Sequence, residues 1–203
     1  MIKEFNTVIT GIGGQGSITL AMIIAEAASK NGYDVKTSEL HGLSQRGGTI
    51  PCHVRFGKKI YSSVILEGEA NLIIGLEPLE ALRTCYYGSK LSKTVFLIDN
   101  TQIIPISVPV CNEKYPSMKE IVKNLKTFGK TVFVLDASKK SLELTFSIVS
   151  SNVYLLGYAS GKRLIPLKRK FLLEGMNEVL PGNLFETNKK AFEAGEKDAH
   201  SKN

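Results

Sequence analysis

Cysteine is scarce in this 203-residue sequence, and the three that occur, Cys52, Cys85 and Cys111, lie far apart. Structural zinc sites and iron–sulfur clusters usually need about four clustered thiolates, so the sequence argues against either in this chain. The cysteines are odd in number and form no C-x-x-C motif. This pattern argues against a disulfide framework and is typical of a reducing compartment.

Long apolar runs are also absent. No run approaches the roughly 20 residues that cross a bilayer, and the opening segment MIKEFNTVIT lacks the hydrophobic region of a signal peptide. We therefore predict a cytoplasmic protein with no membrane partner. No repeat, linker or low-complexity block interrupts the chain, which predicts a single domain over residues 1–203 with a frayed polar tail at 196–203.

The charge is unbalanced toward lysine and arginine. The net charge is +7, and much of the excess lies in GKRLIPLKRK, residues 161–170. A basic balance favours phosphorylated cofactors, an acidic protein or nucleic acid, and a solvated basic face accounts for it as well. The charge alone does not choose between these alternatives.

Short β-rich runs alternate with helical segments along the chain. NTVIT (6–10) predicts a strand, SITLAMIIAEAASKNG (17–32) a helix and DVKTSE (34–39) a second strand, so a β-α-β unit with a parallel pair is expected. Two β-rich runs flank Gly57-Lys58 within 49–65 and predict a hairpin. Further strands are predicted at 71–76, 94–100 and 131–137, an edge segment at 102–110, and helices at 77–88, 117–129, 141–161, 167–180 and 187–195. The whole pattern predicts an α/β, Rossmann-like three-layer domain whose mixed, mainly parallel sheet includes one β-hairpin.

A glycine-rich turn connects the first predicted strand to its helix. TGIGGQGSITL places Gly11, Gly13 and Gly16 in G-x-G-x-x-G spacing. Such a turn lets the backbone approach a ligand, and the following helix N-terminus offers free N–H groups to an anion. Glu39 closes the second strand, where a dinucleotide site binds its ribose. Three interpretations stay open: a cofactor phosphate or other anion, a NAD or FAD dinucleotide, and a purely structural turn. No lysine follows Gly16, which argues against a P-loop NTPase.

A second polar, glycine-bearing loop, SELHGLSQRGGTI, follows the second strand. Arg46 presents a planar fork of donors suited to phosphate or carboxylate. Gly47 and Gly48 allow close backbone approach, and Gln45 both donates and accepts hydrogen bonds. Because the carboxyl ends of parallel strands meet at one edge of a sheet, we expect this loop to lie beside the glycine turn.

The second loop has alternative interpretations that need no bound phosphate or carboxylate. Glu39 paired with Arg46 would make a self-contained hydrogen-bonded loop, and a metal site using Glu39 and His41 lacks a third ligand. Nucleophilic catalysis has little support, because Cys52 and His53 are neighbours in a predicted strand and so point to opposite faces. We predict no catalytic residue in the chain.

Four segments together resemble one family. GIGGQGS, SELHGLSQRGGT, HVRFG and ANLIIGLEPLEALR are similar to the gamma-type component of 2-oxoacid:ferredoxin oxidoreductases, with the greatest likeness to the beta subunits of the indolepyruvate branch. The resemblance runs from about residue 5 to KAFEAG at 190–195. It implies a subunit of a complex that oxidatively decarboxylates an arylpyruvate with coenzyme A and passes the electrons to ferredoxin.

The resemblance also implies a division of labour. Thiamine diphosphate and iron–sulfur clusters would belong to a large partner subunit, since this chain has neither a GDG thiamine motif nor a cysteine cluster. The expected assembly is a hetero-oligomer in which the isolated chain is inactive, ferredoxin is a partner, nucleic acid is not, and coenzyme A is a candidate shared ligand. The residues that match the family's motifs, and that we predict to bind cofactor, are Gly11, Gly13, Gly14, Gln15, Gly16, Glu39, Gln45, Arg46, Gly47 and Gly48.

Several acids are expected to shape the fold instead. Glu77, Glu80 and Arg83 predict a capped helix start with a surface i,i+3 ion pair, and Asp99 and Asp136 predict loop-capping acids at strand ends. Two other function classes remain open from the residues alone: a free-standing NAD- or FAD-dependent oxidoreductase, and a nucleotide-binding assembly module.

Overall fold

The computed structural model describes residues 2–39, 51–105, 108 and 114–201. The described strands are β1 (Glu4–Thr10), β2 (Asp34–Glu39), β3 (Cys52–Gly57), β4 (Leu72–Gly75), β5 (Val95–Asp99) and β6 (Thr131–Leu135). The described helices are α1 (Ser17–Lys30), α2 (Pro78–Arg83), α3 (Met118–Phe128), α4 (Ala137–Thr145), α5 (Ser151–Gly161), α6 (Arg169–Val179) and α7 (Asn183–His200), with a 3₁₀ turn at Cys85–Tyr87. None of these helices is both long enough and apolar enough to span a membrane.

The strands form one six-stranded sheet in the order β2-β3-β1-β4-β5-β6. β1, β4, β5 and β6 pair in parallel, whereas β3 runs antiparallel to both β1 and β2. The predicted mixed, mainly parallel sheet is therefore confirmed. The predicted adjacency of β1 and β2 is wrong, because β3 lies between them. β3 is buried along almost its whole length, while β2 is more polar and suits the sheet edge.

The hairpin predicted around Gly57-Lys58 is also wrong. Residues 58–65 follow β3 without forming a strand. The guanidinium of Arg55 holds this segment instead, donating to the backbone carbonyls of Ser62 at 3.1 Å and Val64 at 2.7 Å. Arg55 also contacts the Glu4 carboxylate at 2.5 Å. The antiparallel neighbours consecutive in sequence are β2 and β3, whose connection lies mostly outside the described residues. The predicted edge segment 102–110 is described only at 102–105 and 108, and 102–105 form no strand.

Helices cover both faces of the sheet, which confirms the three-layer prediction. Side chains alternate along the central strands. Ile9, Ile74 and Leu97 point into the core beneath α1, α5, α6 and α7. Val8 and Ile73 point to the opposite core beneath α2 and α3. Between α5 and α7 the backbones approach so closely that a Cβ on either Gly157 or Gly195 would collide with the other helix.

The segment 141–161 was predicted to be mainly helical, and it forms two helices separated by a bend at 146–150. The predicted frayed tail is wrong for residues 196–200, because α7 continues to His200. Asp198 accepts hydrogen bonds from the Tyr154 hydroxyl and the Lys140 ammonium group. Ala199 is buried against the main core. These contacts across three helices hold the polar terminus in place.

Candidate functional site

The carboxyl ends of β1 and β2 lie at the same edge of the sheet. Ile9 and Glu39 are both registered opposite Cys52 at the start of β3, one on each side. The glycine turn after β1 and the segment after β2 therefore start from one edge, as expected. Gln45, Arg46, Gly47 and Gly48, together with His41, lie outside the described residues, so their placement and their role stay predictions.

The strand order here differs from that of a dinucleotide-binding site, because β3 lies between β1 and β2. In a β-α-β dinucleotide site the acid at the end of the second strand sits on the strand next to the glycine turn. Here β3 intervenes, so Glu39 lies about two strand spacings, or about 10 Å, from β1. The G-x-G-x-x-G spacing and the downstream acid are both in the sequence. The sheet order, however, does not bring them together in the dinucleotide pattern.

The glycine turn is fastened to the end of β4 by the side chain of Gln15. Its Oε1 accepts the N–H of Ile12 at 2.7 Å, and its Nε2 donates to the carbonyl of Leu76 at 2.9 Å. Gly11 packs so tightly that a Cβ would stand 2.9 Å from Gln15 Oε1. The Gln15 amide is thus engaged inside the protein, as a brace for the turn.

Helix α1 begins directly after the turn, with free backbone N–H groups at its N-terminus. Gly16 is the N-cap with φ 81°, no side chain caps the helix, and no acid occupies its first turn. Gly14, at φ 104°, has open space where a Cβ would stand. The free N–H groups of such a helix start attract an anion. They border a cavity of about 310 Å³ lined by Ile12, Gly14, Gly16, Ser17, Ile18, Thr19 and Val149.

A cavity of about 310 Å³ is large enough to hold an anionic group of phosphate size. The hydroxyl of Ser17 is buried beside it and has no hydrogen-bond partner in the part of the chain that the structure describes. A buried hydroxyl of this kind ordinarily finds a partner. With no acid in the first turn of α1, the local field favours negative charge.

A residue far away in the sequence completes the turn. Asn152, buried at the start of α5, donates from Nδ2 to the carbonyl of Gly16 at 3.1 Å. Sequence reasoning did not single out Asn152, because it lies 136 residues from its partner inside an apolar helix. Only the packing of α5 against α1 reveals the contact.

Glu77, at the carboxyl end of β4, is fully buried. Its Oε2 accepts the N–H of Glu80 at 2.9 Å, which confirms the predicted helix cap. Its Oε1 accepts the Tyr115 hydroxyl and the Ile103 N–H, the latter at 3.3 Å. Burial raises the pKa of Glu77, and the hydrogen bonds from Tyr115 and the backbone only partly oppose that rise. Glu77 thus connects the start of α2 with Ile103 and Tyr115.

The other acids predicted to shape the fold are Glu80, Asp99 and Asp136, and each accepts a hydrogen bond near the end of a strand or the start of a helix. Arg83 contacts Glu80 at 2.7 Å in the predicted i,i+3 pair, although Glu80 itself is buried. Asp99 accepts the Ser138 N–H at 3.1 Å and also the Ser138 hydroxyl, which caps α4 from the end of β5. Burial raises the pKa of Asp99 despite these hydrogen bonds. Asp136 accepts a hydrogen bond from the side-chain amide of Asn100 at 2.8 Å.

The described residues do not fit a redox metal centre. They contain no group of three or more His, Cys, Asp or Glu side chains that could hold an ion. Cys52 lies in the core beneath α1 and Cys85 in the core on the opposite face, while Cys111 lies outside the described ranges. Burial raises the pKa of the Cys52 thiol to about 12.

His53 is equally unsuited to ligand chemistry. It packs edge-on against Tyr87, on the other side of the sheet from Cys52, as the strand alternation predicts. Its Nδ1 accepts the N–H of Ile65 at 3.1 Å. Burial lowers the pKa of His53 to about 4, so the ring is neutral at pH 7.

The protein is thus an α/β domain with an uncapped helix start beside a cavity, and its described residues contain no set of side chains that could hold a metal ion. The chain belongs to the pyruvate ferredoxin/flavodoxin oxidoreductase family, whose model matches residues 6–197. The resemblance noted from the motifs is thereby confirmed.

Relatives of this chain match it over nearly its whole length. It is 38% identical to the indolepyruvate oxidoreductase subunit IorB of Thermococcus kodakarensis, covering 98% of this chain and 97% of that protein. It is 29% identical to the pyruvate/ketoisovalerate oxidoreductases common subunit gamma of Pyrococcus abyssi, over 89% of each. The fold is similar, with a TM-score of 0.68 at 18% identity, to the gamma subunit of a keto/oxoacid ferredoxin oxidoreductase from Geobacter sulfurreducens, covering 96% of this chain and 98% of that one.

Proposed function

We propose that this chain is the small subunit of an indolepyruvate-type 2-oxoacid:ferredoxin oxidoreductase. The observation that carries the proposal is the similarity along nearly the whole chain, which is higher to an indolepyruvate subunit, at 38%, than to a gamma subunit shared by pyruvate and ketoisovalerate enzymes, at 29%. The complex would convert an arylpyruvate and coenzyme A to an acyl-coenzyme A and carbon dioxide. Oxidised ferredoxin would accept the electrons.

The redox cofactors belong, in this proposal, to a large partner subunit. Thiamine diphosphate supplies the carbanion chemistry there, and iron–sulfur clusters carry the electrons. The residues described for this chain offer no set of ligands for either a cluster or a metal. The isolated chain is accordingly expected to be inactive, and the working enzyme to be a cytoplasmic hetero-oligomer.

The contribution of this chain itself is an anion-binding site formed by the glycine turn and the start of α1, which we call the rim. Gly14 and the uncapped start of α1 present backbone N–H groups to the cavity, and Gln15 and Asn152 keep the turn in place from two sides. Coenzyme A, which carries phosphate groups, is the ligand we propose to reach this rim from the partner subunit. Arg46, with Gln45, Gly47 and Gly48, would close the rim from the segment after β2.

Reconstitution tests the proposal. The chain is co-expressed with the large subunit, the complex is purified, and ferredoxin reduction is followed with coenzyme A and either indolepyruvate, pyruvate or 2-oxoglutarate. We expect a stable complex that prefers indolepyruvate, and a colourless chain when it is purified alone. Flavin or cluster absorbance in the isolated chain, or no association with the large subunit, would contradict the proposal.

A single variant tests the rim. Arg46→Ala should weaken coenzyme A binding to the complex about tenfold or more, because a charge-assisted phosphate contact is lost. The thermal melting temperature of the isolated chain should stay unchanged. Loss of the fold would show instead that Arg46 serves the self-contained loop.

A further inference from the structure

A short stretch beside the candidate site exposes more apolar surface than its fold requires. Within eight successive residues, 142–149, five large apolar residues are each at least 46% exposed to solvent. We call this stretch the 142–149 surface. It comprises the end of α4 and the bend before α5, and its exposed members are Leu142, Leu144, Phe146, Ile148 and Val149.

Phe146 is the least expected of them. It caps the C-terminus of α4 in the left-handed conformation, with φ 55° and ψ 22°, a position usually given to glycine. Its N–H donates to the Leu142 carbonyl at 3.0 Å, so the backbone geometry is fixed by the helix end. Phe146 is nevertheless 90% exposed. The left-handed backbone of Phe146 costs stability, and its exposed side chain contributes no burial to the isolated chain. We therefore expect Phe146 to contact another protein.

The 142–149 surface is continuous with the glycine turn. Val149 lines the cavity at the start of α1 together with Ile12 and Gly14, and it would contact a Cβ placed on Gly16 at 3.6 Å. We call this cavity the anion cavity. Three residues further on, Asn152 holds the Gly16 carbonyl. A protein seated on this surface would therefore lie beside the cavity at the start of α1.

We infer that the 142–149 surface is where the large, cofactor-bearing subunit docks, which places the anion cavity at the subunit interface. The inference rests on the proposed function. The five residues, at 46–90% exposure, together expose on the order of 500 Å², within the range of the largest apolar patch on a typical monomer. That is more than half of the roughly 800 Å² that one partner buries in a stable complex.

Another group of exposed apolar side chains fits a docking role less well. Tyr61, Leu66 and Leu91 lie among the loops at the opposite edge of the sheet, away from the cavity. The ammonium group of Lys59 already lies over the ring of Tyr61, 5.0 Å from its centroid. Leu91 is 94% exposed, so it provides a control position matched in exposure to Phe146.

The test uses affinity between the full chain and the large subunit, measured by biolayer interferometry with the large subunit immobilised. The variants are Phe146→Gly, Ile148→Ser and the control Leu91→Ser. Phe146→Gly is the most informative, because glycine relieves the left-handed backbone while removing the ring. We expect it to raise the melting temperature of the isolated chain and to weaken assembly at least tenfold. Ile148→Ser should weaken assembly in the same direction, and Leu91→Ser should bind like the wild type.

The possible failures are distinguishable. If the wild-type chain does not bind the large subunit, the proposed function falls and this inference falls with it. If the wild type binds and both Phe146→Gly and Ile148→Ser bind equally well, the docking surface lies elsewhere and only the inference is overturned. Sedimentation that shows self-association of the wild type, lost in Phe146→Gly, together with unchanged binding of that variant to the large subunit, would overturn it in favour of a second copy of this chain.

Discussion

The side-chain amide of Asn152 donates a hydrogen bond to the backbone carbonyl of Gly16 at 3.1 Å and so joins the start of α5 to the glycine turn. The same carbonyl accepts the N–H of Leu20 within α1, at 3.0 Å. Gly16 is therefore held by its own helix and by a second helix. The second contact also positions the cavity at the start of α1, because Val149, two residues before α5, lines that cavity.

Replacing Asn152 should loosen the turn more than the rest of the protein. Asn152→Ala removes the hydrogen bond to the Gly16 carbonyl and the one that Oδ1 accepts from the N–H of Val153. It should cost about 1–2 kcal/mol in the free energy of unfolding, because the Gly16 carbonyl keeps its other donor. Asn152→Asp keeps the side-chain shape but places a carboxylate oxygen against that carbonyl, and should cost about 2–3 kcal/mol at pH 7. Urea unfolding measures both values. Amide hydrogen exchange should quicken at residues 12–17 first, and equal stability of the two variants would contradict the assigned contact.

The two glycines with positive φ in the turn should respond differently to alanine. Gly14→Ala meets no neighbouring atom and should cost only the conformational penalty, about 1–2 kcal/mol. Gly16→Ala meets the same penalty and also collides with the Asn152 amide, so it should cost about 1–3 kcal/mol more. The Gly16→Ala/Asn152→Ala double variant should be less destabilised than the sum of its single variants. Strict additivity in thermal or urea unfolding would show that the collision is relieved in some other way.

Much of the fold was predictable because local signals determine it. β2 was predicted with the bounds that the structure shows, and the start of α1 follows from the glycine turn. The position of β3 between β1 and β2 was not predictable, because strand order depends on contacts between segments that lie far apart in sequence. The hairpin at Gly57-Lys58 failed for a related reason. The side chain of Arg55 donates hydrogen bonds to backbone carbonyls of the following segment, in place of a neighbouring strand. Strand propensity contains no information about such a side-chain contact.

The candidate site was predictable only where it is contiguous in sequence. The turn from Gly11 to Gly16 is visible as a motif, but its two braces are not. Leu76 accepts from Gln15 through a backbone carbonyl, which any residue could offer, and Asn152 lies in a segment with no motif. The polar composition of residues 196–200 predicts a frayed tail, but the partners that order this segment, such as Tyr154, are on other helices.

The Asp198 cluster should make the protein lose stability in acid. Burial alone would raise the pKa of Asp198, but the hydrogen bonds from Lys140 and Tyr154 outweigh it and lower the pKa below its ordinary value. A lowered folded pKa stabilises the protein above the unfolded pKa, about 3.9, and that stability is lost as the pH falls through the folded pKa. Asp198→Asn should cost about 1–3 kcal/mol at pH 7 and flatten the acid side of the stability curve.

Urea unfolding at several pH values from 2 to 7 checks this prediction for Asp198. The matched control is Glu178→Gln, which removes an exposed ion pair with Lys30 on α1 and should change stability by less than about 1 kcal/mol. An acid limb that is equally steep in the wild type and in Asp198→Asn would show that the charge on Asp198 contributes nothing to the attachment of α7.

The contact between the buried Glu77 and the partly buried Tyr115 predicts the opposite pH dependence. The folded pKa of Glu77 is already raised, and Tyr115→Phe removes a donor to its carboxylate, so the pKa should rise further. Because the unfolded chain releases this proton above about pH 4.3, the added cost of the variant should grow as the pH rises toward the folded pKa. We expect a loss of about 1 kcal/mol at pH 4 and about 2–3 kcal/mol at pH 7, measured by urea unfolding. Tyr61→Phe, at an exposed hydroxyl, should change neither value, and a Tyr115→Phe loss that is independent of pH would mean that the hydroxyl fixes the loop without influencing ionisation of Glu77.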